Sequence, residues 1–320
     1  MRIHPGIAAA RSRLTRGAVA IGNFDGVHLG HRALFEAARN LSQVSGGPCC
    51  ALTFEPHPAR LLAPEYAPKL ICSRPRKHEL LAHAGVDDLV EQPFDRGFMA
   101  LSPDDFVDLV IGTGVAAVVV GHDFTYGRAR SGSVESLRRA LEERGVRLHV
   151  VAPVAVNGLV VSSTKIREFI LAGRVEAANM LLGRPFDLDG EVVRGAGRGR
   201  KLGWPTANLR TPNELHPAVG VYAVRALVLA EGGQAAPEAA RWKGAANLGL
   251  NPTFRPDDAQ GGEAHLLLEV HLFDVAQDLY GRRLRVEFIH RLRDERRFPG
   301  VEALKEQIGK DVETARALLG

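Results

Sequence analysis

Residues 18–31 read AVAIGNFDGVHLGH: four apolar residues, then Gly22, Gly26 and Gly30 interleaved with Asp25, His28 and His31. A short apolar run that halts in a glycine-rich turn and resumes with helical spacing predicts a strand, a tight turn and a helix. The helix is expected from His31, with Leu34, Ala38 and Leu41 on one face. In a parallel α/β sheet this turn lies at the carboxyl edge, where the helix N-terminus offers unpaired N–H groups and its positive dipole end to phosphate. The glycines let backbone approach closely, and His28 and His31 can donate to phosphate oxygens. A metal site and a plain loop are the other two readings of the histidine pair. The metal reading is the weaker, because the spacing is not that of HExxH and no third ligand follows suggestively.

The same alternation extends outward. Strands are expected near 18–22, 50–54, 87–92, 116–121 and 147–153, with helices between them, which predicts a parallel sheet covered by helices. Ser102 before Pro103 and two aspartates reads as a capped helix start, and a further helix should run from Ser133 to a stop at Gly145. Past LLGRPFDLDG (181–190) the pattern changes to strands separated by turns: EVVRG, VYAVRALVLA, KGAANLGL, HLLLEVHLF and LRVEFIHRLR. These predict a small antiparallel barrel. The chain then closes with a helix carrying Val301, Leu304, Ile308, Val312, Ala315 and Leu318 toward that barrel. Two domains result, 1–184 and 185–320.

With 320 residues, 45% apolar and 24% charged, the chain suits two globular cores. No apolar run approaches the ~20 residues of a membrane span, and the start lacks a signal-peptide pattern, so no membrane role and a cytoplasmic location are expected. Cys49, Cys50 and Cys72 form no disulfide framework and read as core residues. The formal charge of +4 suits small anions as well as nucleic acid and decides nothing between them.

A second phosphate-binding composition appears in VSSTKIREFI (161–170), where Ser163 and Thr164 open a helix that also carries Lys165 and Arg167. Together with FDGVHLGH it resembles the paired HxGH and SSTxxR-like motifs of nucleotidylyltransferases, which hold ATP for attack at the α-phosphorus. TFEPHP (53–58) and GHDFTYG (121–127) follow two other predicted strands. The four motifs in this order resemble the FMN adenylyltransferase module of the bacterial bifunctional riboflavin kinase/FMN adenylyltransferases, a Rossmann-like nucleotidylyltransferase domain. The resemblance implies that Gly22, Phe24, Asp25, Gly26, His28, His31, Ser163, Thr164 and Arg167 serve ATP. It places Pro56, His57, Pro58, Asp123 and Phe124 near FMN.

The second half carries its own signal in RGAGRGRKLGWPTANL (194–209). It is neither a Walker A loop nor GxGxxG, since Arg200 stands where the last glycine would be. Its glycine N–H groups can cradle phosphates, and the Thr206 hydroxyl with the Asn208 carbonyl can help hold Mg²⁺ through oxygen. With NLGLNPTF, LEVHLFD, DLYG and LRDERRF it resembles the riboflavin kinase module. That resemblance implies Gly197, Gly199, Arg200, Lys201, Gly203, Pro205, Arg293 and Glu295 around ATP and flavin, and Glu269 as catalytic base. A carboxylate on a rigid strand beside a primary alcohol also suits the chemistry directly, while the bland reading of Glu269 is a solvent-facing strand residue. Trp204 and Asn251 depart from the phenylalanine and arginine common among such relatives.

The implied substrates and products are riboflavin, FMN, FAD and ATP, with Mg²⁺ as cofactor and no nucleic acid partner. The rivals are a different nucleotidyl-transfer enzyme, including a class I aminoacyl-tRNA synthetase remnant, and a flavin- or RNA-sensing protein that has lost one activity.

Overall fold

The computed structural model describes residues 1–195, 199, 202–230, 240–250 and 266–320, so Gly197, Arg200, Lys201 and Asn251 lie outside the described residues. Two compact units make up the chain: Met1–Lys69 with Lys77–Ser162, and Leu70–Arg76 with Ser163–Gly320. No helix among the described residues is long and apolar enough to cross a membrane.

The first unit is built on β1 (Arg2–His4), β2 (Ala18–Ile21), β3 (Cys49–Glu55), β4 (Asp88–Pro93), β5 (Ala117–Gly121) and β6 (Arg147–Val151). They form one six-stranded sheet in the order β1-β4-β3-β2-β5-β6, every neighbouring pair parallel. All four residues of β2 are buried, which is why a central parallel strand reads as a continuous apolar run rather than an alternating one. Cys49 and Cys50 are buried within β3, and burial pushes the Cys49 thiol up to about 11, so it packs as an inert core group.

The five expected strands are present. The sequence reading missed β1, whose three residues are too few to carry a period. It is pinned from the side, since Arg2 and His4 both reach the fully buried Asp88 carboxylate at 2.7 Å.

Helix starts follow the capping chemistry. Ser102 accepts the Asp105 N–H while Asp105 accepts that of Ser102, and Ser133 and Ser136 do the same ahead of the helix Val134–Glu142. The helix expected from His31 instead spans Leu29–Ser45, with His28 as N-cap. Histidine is not among the favoured capping residues, so the earlier start carried no sequence signal. Leu34 and Ala38 are buried as expected, and Phe35 and Ser42 complete that face.

The second unit opens with the helices Ser163–Leu171 and Val175–Leu182. After a two-stranded hairpin in the first unit, β7 (Ala155–Val156) with β8 (Leu159–Val160), the numbering continues into the barrel. Its strands are β9 (Phe186–Val193), β10 (Ala207–Arg210), β11 (Gly220–Val228), β12 (Trp242–Leu250), β13 (Leu266–Leu272) and β14 (Arg283–Arg293). The barrel closes in the order β10-β13-β12-β11-β14-β9. Inside it Tyr222, Phe186, Phe288, Leu188 and Val270 are fully buried. Two differences from the sequence reading stand out: β9 begins at Phe186 rather than near Glu191, and the four-residue β10 was not anticipated.

The final helix runs Val301–Leu319 and packs Val312, Ala315 and Leu319 against Ala223, Ala245 and Phe273 on the outer barrel wall. Leu318 and Val301, expected on that face, are exposed. At 100° per residue Leu319 returns to within about 20° of Val312 whereas Leu318 lies about 120° away. On another part of the wall, Arg285 and Asp187 are almost wholly buried, Arg76 reaches Asp187 at 2.7 Å, and Arg285 reaches Asp189 at 2.7 Å.

Candidate active sites

In the first unit, β2 lies between β3 and β5, with β4 beyond β3 and β6 beyond β5. The chain therefore reverses its direction of travel across the sheet between β2 and β5, the crevice where open α/β sheets bind ligands. Residues 22–28 sit at that point. Gly26 has φ +77°, and Phe24 and Val27 also take positive φ, so the turn is tight and partly strained. The Phe24 ring is fully buried beneath the turn, and a Cβ at Gly22 would lie 2.9 Å from it. Thr53 at the end of β3 donates to the Asn23 carbonyl at 3.0 Å and fixes the turn to its neighbouring strand.

His28 and His31 are brought face to face. Their rings stack with centroids 3.5 Å apart, and the His31 backbone N–H donates to His28 Nδ1 at 3.3 Å. The Phe24 edge supports His31 from below, and a Cβ at Gly30 would come within 3.2 Å of the His28 ring. Asp25 and His28 are buried. The sequence reading found all of these residues but not the stacking, which depends on the capped helix start.

Beyond β3 and β5 lie the other candidates of this unit. Pro56 is exposed, while His57 and Pro58 are half-buried; His57 Nδ1 accepts the Ala59 N–H at 3.2 Å. Asp123 is exposed with His122 at 4.0 Å, and Phe124 stacks on Tyr126 at 5.8 Å. The two segments are joined by aromatic contacts that the sequence reading did not foresee: Phe54 to Phe98, Phe98 to Phe106, Phe106 to Tyr126 and Tyr126 to Phe124. Phe106 and Tyr126 are buried in the core of this unit, and Phe54, Phe98 and Phe124 pack against it, so the contacts anchor both segments to the sheet.

In the second unit, Ser163 opens the helix Ser163–Leu171 as expected, with Thr164 exposed and Arg167 half-buried. On the barrel, Glu269 of β13 stands opposite Asn208 of β10 on one side and Asn247 of β12 on the other. Cross-strand partners share a face, so one carboxylate is flanked by two side-chain amides on rigid strands. Asn208 is 8% exposed and Glu269 half-buried.

Thr206 lies just before β10, and a Cβ at Gly199 would be 3.0 Å from its hydroxyl oxygen. Gly203 has φ +91°, and Pro205 accepts a hydrogen bond from His271. Glu295 comes to the same face, because a Cβ at Gly249 would lie 2.8 Å from its carboxylate and 3.3 Å from the Asn247 amide nitrogen. Arg293 is held differently: its guanidinium forms a bidentate pair with Asp311 at 2.7 and 3.0 Å. Asn247 was missed as a candidate, although NLGL is part of a quoted motif, because only the register reveals its neighbour. Thr206 and Asn208 offer hydroxyl and amide oxygens, donors of the kind that fit a hard divalent cation such as Mg²⁺, with the Glu269 carboxylate opposite Asn208.

A glycine turn at the switch point of a parallel sheet, and a carboxylate between two amides on a closed barrel, suit a two-domain transferase of phosphorus-containing groups. The comparisons make that class specific. The FAD synthetase family matches residues 10–165 and the riboflavin kinase family residues 182–319. A bifunctional riboflavin kinase/FMN adenylyltransferase from Pseudomonas fluorescens is 42% identical over 306 residues, covering 95% of this chain and 93% of that protein. The protein of the same name from Escherichia coli (strain K12) is 38% identical, covering 94% and 92%. A crystal structure from Streptococcus pneumoniae, named as a macrolide-efflux protein, superposes with TM-score 0.85 at 30% identity and covers 99% of both chains. The chain belongs to the family of bifunctional riboflavin kinase/FMN adenylyltransferases.

Proposed function

We propose that the chain makes FAD from riboflavin in two steps, each on its own set of residues. The kinase step, assigned to 185–320, transfers the γ-phosphoryl of ATP to the ribityl 5′-hydroxyl and gives FMN. The adenylyl step, assigned to 1–184 and thus including the helix Ser163–Leu171, joins FMN to AMP with release of pyrophosphate.

In the kinase step Glu269 accepts the proton of the attacking hydroxyl, and its rigid strand sets the angle of that transfer. Mg²⁺, which neutralises phosphate charge when bound, would be held by Thr206 and Asn208. Gly197, Gly199, Arg200, Lys201, Gly203, Pro205 and Glu295 are assigned to ATP and flavin. Arg293 acts there through the placement that Asp311 gives it. In the adenylyl step no base is needed, since the FMN phosphate is already anionic. His28 and His31 stabilise charge on the α-phosphoryl group while Gly22, Phe24, Asp25, Gly26, Ser163, Thr164 and Arg167 hold ATP in line. Pro56, His57, Pro58, Asp123 and Phe124 position FMN.

The observation that carries this reading is the Asn208–Glu269–Asn247 register, which sets a carboxylate among oxygen donors. We place the protein in the cytoplasm, with riboflavin, FMN and ATP as its small-molecule partners and neither nucleic acid nor membrane among them; the described cysteines are all free thiols, in keeping with a reducing compartment. The test is to incubate the purified protein with riboflavin and Mg-ATP and follow riboflavin, FMN and FAD by chromatography. Sequential appearance of FMN and then FAD is expected, and absence of both overturns the assignment.

A further inference from the structure

Alternation along β13 sets His271 on the same face as Glu269, two residues away. Its Nδ1 lies 2.8 Å from the Pro205 carbonyl oxygen. A carbonyl only accepts, so Nδ1 carries the proton and donates. The ring is steadied by the Trp204 edge at 5.4 Å and by Phe273 at 5.7 Å.

The acceptor matters because of the peptide to which it belongs. The Pro205 carbonyl and the Thr206 nitrogen form one planar unit, so a bond that fixes the first fixes the point from which the Thr206 side chain departs. On the N-terminal side the Trp204 N–H donates to the Gly199 carbonyl at 2.9 Å, and any Cβ at Gly199 would sit 2.4 Å from the Trp204 carbonyl oxygen. On the C-terminal side the ladder to β13 begins at Ala207, opposite Val270. Thr206 is therefore held between a strand pairing and the His271 bond, both anchored on the strand that carries Glu269.

We propose that His271 is a positioning residue of the phosphoryl-transfer site, fixing the Pro205–Thr206 peptide so that the Thr206 hydroxyl is set for the cation it shares with Asn208, beside the base Glu269. The proposal rests on the riboflavin kinase reading of the barrel. The competing role is outer-wall packing, in which the ring matters and the N–H does not. His271→Phe keeps a ring and loses the donor. His271→Asn loses the ring and keeps an N–H at the same number of bonds from Cα.

Riboflavin phosphorylation is measured against Mg²⁺ concentration at saturating ATP, together with hydrogen exchange of the Thr206 and Ala207 amides in the full chain. For His271→Phe and His271→Ala the half-saturating Mg²⁺ concentration should rise about five- to tenfold, as expected of one net hydrogen bond. The Thr206 amide should exchange faster in both, and His271→Asn should stay within about twofold of wild type on the same scale. FAD formation from supplied FMN should be equal in all four proteins. Wild-type behaviour of His271→Phe, or an Asn variant as impaired as the Ala variant, overturns the proposal. If His271→Ala does not fold, the Phe and Asn variants decide alone. A wild-type protein that fails to phosphorylate riboflavin overturns the kinase reading instead, while the exchange rates still test the clamp.

Discussion

At the scale of single residues, Glu269 separates chemistry from packing. Glutamine keeps its shape and its place between Asn208 and Asn247 but cannot take the alcohol proton. Glu269→Gln should slow FMN formation by roughly 10²–10⁴ while FAD formation from supplied FMN continues unchanged. Near-normal kinase turnover on the same preparation would remove Glu269 from the mechanism. The histidines need a subtler substitution, because His28 also caps the helix Leu29–Ser45. His28→Asn retains an acceptor for the cap and removes the imidazole, so the unfolding temperature should hold while FAD formation falls by roughly 10²–10³. His31→Gln should show the same selective loss. Equal losses of both activities would count against a role confined to adenylyl transfer.

At the scale of elements, the helix Val175–Leu182 is stitched to the barrel by two side chains: Glu176 accepts the Arg291 N–H at 2.9 Å, and Asn179 makes the more buried link. Asn179 donates to the Phe288 carbonyl at 2.8 Å and accepts the Phe186 N–H at 2.6 Å, joining β9 and β14 where both begin or end their pairing. Val175, Ala178, Leu181 and Leu182 are buried around it. Asn179→Ala leaves a backbone donor and acceptor without this partner and should cost about 1–3 kcal/mol, read from urea unfolding of the full chain. An unchanged midpoint would mean that apolar packing and the Glu176 bond to Arg291 hold the helix without it. The amide was not legible as structural in AANMLLG, since neither partner is near it in sequence.

At the scale of the whole molecule, Asp187 is the hinge of a buried charge network. Burial alone pushes its carboxyl up, but the Arg76 and Arg184 guanidiniums outweigh burial and hold it below the usual carboxylate range. The ionised form is thus favoured in the folded chain relative to an unfolded aspartate near 3.9. Its stabilising contribution is complete above about pH 4 and is lost as pH falls through the lower folded value. Asp189 has the opposite sign, because burial raises it despite Arg285. The difference between wild type and Asp187→Asn therefore isolates Asp187. That variant leaves buried arginines uncompensated and should cost about 3–5 kcal/mol at neutral pH, with the gap narrowing toward pH 3. Thermal unfolding followed by circular dichroism across pH 3–7 checks both statements, and equal stability at pH 7 would refute the first.

Much of this protein was written in local pattern. The buried run at Ala18–Ile21, the reciprocal caps at Ser102 and Ser133, and the glycine turn before His28 each depend on residues a few positions apart, so they were legible without a fold. The motif order also carried the family. What tertiary structure decided lies between distant segments. The short strands β1 and β10 exist because Asp88 and the barrel ladder hold them, not because three or four residues carry a period. The segment Leu70–Arg76 keeps company with Ser163–Gly320, where Arg76 finds Asp187. Barrel closure put Asn208 and Asn247 on either side of Glu269 and brought the Pro205 carbonyl to His271. Periodicity reports which face of an element is buried, whereas register and closure choose its neighbours, and the second site is made of neighbours.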